Sequence, residues 1–176
     1  MNKKYLGFPA LVVAILVVAS LSIMVGDRSS KNITNNDDFF NVSISPSPTI
    51  DSETWELRID GLVENPASMT YDELKSLQSV TEIAELDCVA GPSSVAYWSG
   101  VRLSTVLDIA KETSSDVEVV FYSVDGFSTD ISVSDARRND VILAYEMNNV
   151  TLPIDHGYPI RLVVPNEFGY KWAKWT

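Results

Sequence analysis

Between Leu6 and Val25 the chain carries no charged side chain, and Lys3 and Lys4 stand just before that run. At ~1.5 Å rise per residue, a helix of about 20 residues crosses a ~30 Å hydrocarbon core. The two lysines, with no further basic residue until Arg28, orient the start of the chain toward the cytoplasm and set everything after Gly26 outside it. Residues 1–26 therefore read as an N-terminal transmembrane helix, and the rest as an extracytoplasmic (extracellular or periplasmic) part anchored to the membrane. A cleavable signal peptide is the rival reading. Its apolar core usually runs ~7–15 residues before a small-residue site, which Ala19, Ser20 and Ser22 would supply. No twin-arginine pair precedes the run, and no cysteine follows it to take a lipid.

About 145 residues remain, the size of one domain with a real core. Their acidity, part of a net charge of −11 over the whole chain, comes without any basic stretch. Nucleic acid and anionic lipid surfaces both require clustered Lys or Arg, so neither is expected as a partner. Cys88 is the single cysteine, which excludes an internal disulfide framework.

Residues 27–52 are rich in Asn, Ser, Asp and Pro and show almost no hydrophobic period. They read as a polar tether that becomes ordered near Phe39 and Phe40, since paired aromatics are out of place in a linker. Sequons at Asn32, Asn41 and Asn149 carry little weight, because three-residue matches arise often by chance.

The folded domain is expected over residues 53–176. In "WELRIDG", Trp55, Leu57 and Ile59 alternate with charged residues and predict a half-buried strand. Thr70 and Glu73 are spaced as a capping box at the head of a short helix. "VTEIAEL" predicts a strand that delivers Cys88 to a Gly-Pro-Ser turn at the sheet rim. Leu103, Val106, Leu107 and Ala110 share one face of an amphipathic helix. Around Asp125-Gly126 the pattern predicts a hairpin. "SDARR" reads as a short helix, "VILAYEM" and "PIRLVVP" as strands, and "YKWAKW" as a last strand burying Tyr170, Trp172 and Ala173. Strands predominate without regular alternation with helices, so the fold class is mixed, strand-rich α+β.

Four polar residues, Cys88, His156, Arg161 and Lys174, are the candidates for chemistry. A free cysteine is most often a small buried hydrophobe, but one at a strand end beside a glycine turn also suits a soft-metal ligand or a reactive thiol. One Cys and one His do not make a zinc site, although Cys88 with His156 as a nucleophile pair stays open. Arg161 lies among Ile160, Leu162, Val163 and Val164, where an unpaired charge is prohibitive. It requires either a nearby carboxylate or an external anion, for which its planar fork and the point charge of Lys174 form a phosphate clamp. Lys171 and Lys174 are three apart, so at most one reaches that anion.

Taken in order, "WELRIDGLVENP", "TYDEL", "DCV" with "YWSGVRLSTVL", "YSVDGF", "ILAYEMN" and "HGYPIRLVVP…GYKWAKW" resemble the molybdopterin-binding catalytic domain of sulfite oxidases and periplasmic methionine sulfoxide reductase catalytic subunits. The likeness runs from Phe39 to Trp175. It implies a sulfite-oxidase-like fold, a molybdenum-molybdopterin cofactor and Cys88 as the catalytic residue, its thiolate bound to the metal. It further implies that His156, Arg161, Trp172, Ala173 and Lys174 contact the pterin and its phosphate, with Phe40 and Asn41 approaching from the N-terminal side. The family's sulfite-binding arginine has no match here, so the expected substrate is a small oxygen-atom donor or acceptor such as a sulfoxide. A membrane or exported electron-transfer protein is the expected redox partner. The chain stops just after the family's "KW" segment, which implies a domain cut short. The second hypothesis is a degenerate domain of the same fold acting as a surface or ligand-binding module.

Overall fold

The computed structural model describes residues 32–114 and 117–176, so the expected anchor at residues 1–26 lies outside the described residues. Among the described residues no helix is long and apolar enough to cross a membrane.

Nine strands and three short α-helices follow one another as β1 Glu56–Ile59, β2 Ala67–Thr70, α1 Tyr71–Ser76, β3 Ser79–Asp87, β4 Ser93–Arg102, α2 Leu103–Ala110, β5 Glu118–Tyr122, β6 Ser128–Ser132, α3 Val133–Ala136, β7 Ile142–Met147, β8 Val150–Thr151 and β9 Arg161–Val163. The main sheet is antiparallel in the order β3-β4-β7, and β8 and β9 share the far edge of β7. Two hairpins, β1-β2 and β5-β6, form separate ribbons. The mixed, strand-rich architecture expected from the sequence is present.

Local chemistry explains most of these elements. Thr70 caps α1 by accepting the Glu73 N–H, and the Glu73 carboxylate accepts the Thr70 N–H in return, so the capping box is complete. Helix α2 buries Leu103, Val106, Leu107 and Ala110, the face the spacing predicts. At the Asp125-Gly126 turn, Gly126 takes φ +86° and the Asp125 carboxylate accepts the Phe127 N–H.

Strand β4 forms the centre of the sheet and is buried over most of its length, with Trp98, Val101 and Ala96 inaccessible. Buried on both faces, it shows no alternation, which is why a sequence pattern does not mark it. Its register against β7 shifts between Ser99 and Gly100. A Cβ at Gly100 would stand 2.0 Å from the Leu143 carbonyl oxygen, so only glycine permits this approach of β4 and β7.

One expectation fails. "YKWAKW" is not a strand: Gly169–Lys171 form a 3-10 turn and the chain continues irregularly, with Tyr170 half exposed while Trp172 and Ala173 are buried. Indole bonds replace the ladder, Trp172 Nε1 donating to the Glu167 carbonyl at 3.0 Å and Trp175 Nε1 to that of Ile154 at 2.8 Å. The segment read as a tether is docked on the domain from Thr34, whose N–H donates to the Val95 carbonyl at 2.8 Å. Phe39 is buried against Trp98 and His156.

Candidate functional site

Strand β3 ends at Asp87 and hands Cys88 to a tight turn, in which the Cys88 N–H donates to the Pro92 carbonyl at 2.9 Å and its own carbonyl accepts from Gly91. The thiol is half-buried rather than sealed in the core. It stands on the wall of a cavity of about 220 Å³ that Arg161, Trp172, Lys174, Phe40 and Asn41 also line. Six of the eight sequence-derived site residues therefore meet in one place. The Gly169-Tyr170 turn comes against the end of β3 through a bridge between Asp87 and Phe168, closing the side next to Cys88.

Arg161 opens β9 opposite Ala144 of β7. Only 4% of it is exposed, yet its one hydrogen bond runs from Nη1 to the His156 carbonyl at 3.1 Å. Its Nε, buried as well, has no partner among the described residues. The guanidinium is sandwiched between the Trp98 and Trp172 rings, 5.1 and 5.7 Å from their centroids. Burial alone pushes its pKa down, to about 9. A guanidinium keeps its proton at neutral pH, so the burial leaves a charge without a counter-ion. The alternative of a structural carboxylate pair is not realised among the described residues.

Lys174 supplies the second cation. Its ammonium donates to Asn41 Oδ1 at 2.7 Å, to Ser43 Oγ and to the Asp155 carbonyl at 3.1 Å, all uncharged acceptors. Burial first, then the nearby Arg161 charge, lowers its pKa to about 8. Lys171 instead pairs with Asp130 at 3.2 Å, so only Lys174 of the two reaches the cavity, though through a 3-10 turn and irregular chain rather than through strand alternation. Between the cationic pair sits Gly157 at φ +116°, where a Cβ would fall 3.0 Å from that of Arg161 and 3.1 Å from that of Lys174. Glycine is what allows both side chains to converge.

His156 and Ala173 do not line the cavity. The imidazole is buried against Phe39 and bonded through Nε2 to the Asn36 carbonyl at 3.2 Å, and burial lowers its pKa below the ordinary histidine value. With Nε2 engaged by the Asn36 carbonyl and the ring off the cavity wall on which Cys88 stands, the Cys-His nucleophile pair finds no support here. His156 acts here through its backbone carbonyl, on Arg161. Ala173 serves the frame, accepting the Leu162 N–H at 2.8 Å.

Sequence reading overlooked Trp98, which stacks on Arg161, and Ser123, which lines the cavity with a buried Oγ lacking any partner among the described residues. Neither carries a local signal, since Trp98 lies in an apolar run and Ser123 follows a strand like any other serine. The walls are otherwise largely apolar, with Leu86, Phe127 and Trp175 inside and Val42, Ile44 and Tyr170 exposed. Among the described residues no cluster of three His, Cys, Asp or Glu could hold a metal. A metal beside Cys88 must bring most of its own ligands.

Residues 44–176 match the family described as the oxidoreductase molybdopterin binding domain. The chain is 31% identical over 126 residues to a candidate protein-methionine-sulfoxide reductase subunit, YedZ1 of Azospira oryzae, covering 72% of this chain and 48% of that one. It is 30% identical to sulfite oxidase of Arabidopsis thaliana, covering 83% of this chain and 47% of that one. The chain thus spans about half the length of these relatives. The sulfane dehydrogenase SoxCD of Paracoccus pantotrophus superimposes with a TM-score of 0.78 at 26% identity, over 82% of this chain and 42% of that one.

Proposed function

This chain belongs to the oxidoreductase molybdopterin-binding domain family, and on that premise we propose that its cavity seats molybdenum-molybdopterin with Cys88 as the protein's thiolate ligand, in an extracytoplasmic enzyme that moves an oxygen atom onto or off a small acceptor such as a sulfoxide. The observation that carries this reading is Arg161, a buried guanidinium without an anion, on the same wall as a half-buried thiol.

The residues present fit the group. Arg161 and Lys174 are two cations bonded only to uncharged acceptors, suited to an anionic phosphate tail. Trp98 and Trp172 fix the guanidinium plane, so little rotamer freedom remains to be lost on binding. Ser123 offers an unused hydroxyl, and the backbone around Gly157 holds the cations close together. Cys88 supplies a single sulfur, and among the described residues no group of three His, Cys, Asp or Glu offers a ready-made metal site. Phe127, Leu86 and Trp175 exclude water from the interior and raise the strength of every charge interaction there. When bound, the cofactor supplies the two-electron oxygen-transfer chemistry, and the protein's part is to hold, orient and insulate it.

Of the residues lining the cavity only Arg161 and Lys174 are cationic, Arg161 buried and Lys174 bonded to Asn41. The exposed rim of Val42, Ile44 and Tyr170 suits a neutral acceptor better than a small dianion. The apolar run Leu6–Val25 fits a membrane anchor that holds the domain on the outer face near a membrane or exported electron-transfer protein. Elemental analysis tests the reading: protein from a molybdate-replete host should carry about one molybdenum per chain, with less retained in Cys88→Ser. Metal-free wild-type protein from that host would reject it in favour of a non-catalytic domain of the same fold.

A further inference from the structure

We propose that residues 40–47 form a strap that gates the cavity, and that the Lys174 ammonium is the latch that holds it shut. Among the described residues, no backbone-to-backbone hydrogen bond begins or ends between residues 40 and 50. What holds the strap is side chains. At one end Phe40 packs against the core and its N–H reaches Ser94 Oγ at a long 3.5 Å. In the middle Lys174 takes Asn41 Oδ1 and Ser43 Oγ. At the far end the Ser47 hydroxyl donates to the Asp155 carboxylate at 2.6 Å. Asp155 also receives Lys174 on its carbonyl, so the middle and far fastenings converge on a single 3-10 turn, Ile154–His156.

Such a segment opens without breaking any ladder. Phe40 to Ile44 form part of the cavity wall, while Val42 and Ile44 remain 67% and 69% exposed and contribute little burial to hold the strap down. With the strap in place the cavity, about 220 Å³, is smaller than the ~300–1,000 Å³ usual for small-molecule sites. Displacing the strap would enlarge the site toward that range. The latch is also cheap to release, because none of its three acceptors carries a formal charge at the bonding atom and an anion in the cavity would compete for it.

The role of the strap in cofactor loading rests on the cavity being the cofactor's seat, whereas the gate itself is tested without any metal. Cys88 is the chain's single cysteine and lines the same cavity as the strap, so thiol labelling of the full chain from a host unable to make the cofactor reads access to that cavity. Rates are compared for a small alkylating agent and a bulky polymer-linked maleimide. Lys174→Met should speed the bulky reagent roughly tenfold more than the small one, the factor that about 1.4 kcal/mol of lost latch stability produces. Ser47→Ala, which leaves the cavity wall intact, should shift the ratio in the same direction by less. An unchanged ratio in Lys174→Met, or equal acceleration of both reagents, overturns the gate. A positive ratio alongside metal-free native protein would sink the proposed function and leave the strap standing.

Discussion

Replacing Arg161 by methionine should cost the cofactor-free domain nothing in stability and cost the loaded domain its grip. In the free domain Arg161 makes one charge-assisted hydrogen bond, about 1.5–3 kcal/mol, and two ring contacts of about 0.5–2 kcal/mol each. Against these stands the burial of a charge with no counter-ion, an effective penalty of several kcal/mol. Replacement of buried ions by apolar groups of similar volume is commonly neutral or stabilising by about 1–4 kcal/mol, and methionine is long and unbranched enough to fill the slot between Trp98 and Trp172. Urea unfolding of cofactor-free full chain should therefore give a midpoint equal to or above wild type. Binding moves the other way. Loss of a forked contact to a phosphate, at about 1.5–3 kcal/mol per charge-assisted bond, should lower retained pterin about tenfold or more after gel filtration. A free domain weakened by more than about 2 kcal/mol with full pterin retention would show Arg161 to be structural and refute the reasoning.

Gly157→Ala forces a side chain onto a φ of +116° and against the Cβ atoms of Arg161 and Lys174; it should destabilise the domain by about 1–3 kcal/mol and lower cofactor content, measured by calorimetry and metal analysis. Thr70→Ala should cost about 1 kcal/mol through the lost cap and leave molybdenum content unchanged, because α1 contributes nothing to the cavity. His156 has its folded pKa below the ordinary value, so its contribution to stability is present above the unfolded pKa near 6.5 and falls away as pH drops through that value toward the folded pKa. As the chain's single histidine it gives one imidazole NMR titration, expected to report a midpoint below 6.5 and to match a slope in stability that His156→Gln flattens. Burial and the Arg161 charge lower the Lys174 pKa to about 8, so inorganic phosphate binding to cofactor-free protein should weaken as pH rises past that value, a loss that Lys174→Met should remove.

Legibility followed periodicity and capping. The α2 face, the Asp125-Gly126 hairpin and the Thr70 capping box rest on spacings of a few residues, and each is present. Strand β4 shows no alternation because both its faces are covered, and β2 is only four residues long. "YKWAKW" misleads because its aromatic alternation comes from indole hydrogen bonds to carbonyls on other turns and from Trp175 at φ +51°, not from a ladder. In the site, Arg161 was legible as a charge in an apolar strand and Cys88 as a solitary thiol at a strand end. His156 does not line the cavity, and nothing local distinguishes a side chain that faces a ligand from one whose backbone carbonyl orients its neighbour. Trp98 and Ser123 become recognisable only when the sheet brings distant residues to one wall.

X-ray absorption at the molybdenum edge measures the sulfur shell of the metal directly in protein purified with its cofactor. Cys88 as ligand predicts that the wild-type shell holds one sulfur more than that of Cys88→Ser reconstituted with the same cofactor. Identical shells in the two proteins would contradict it.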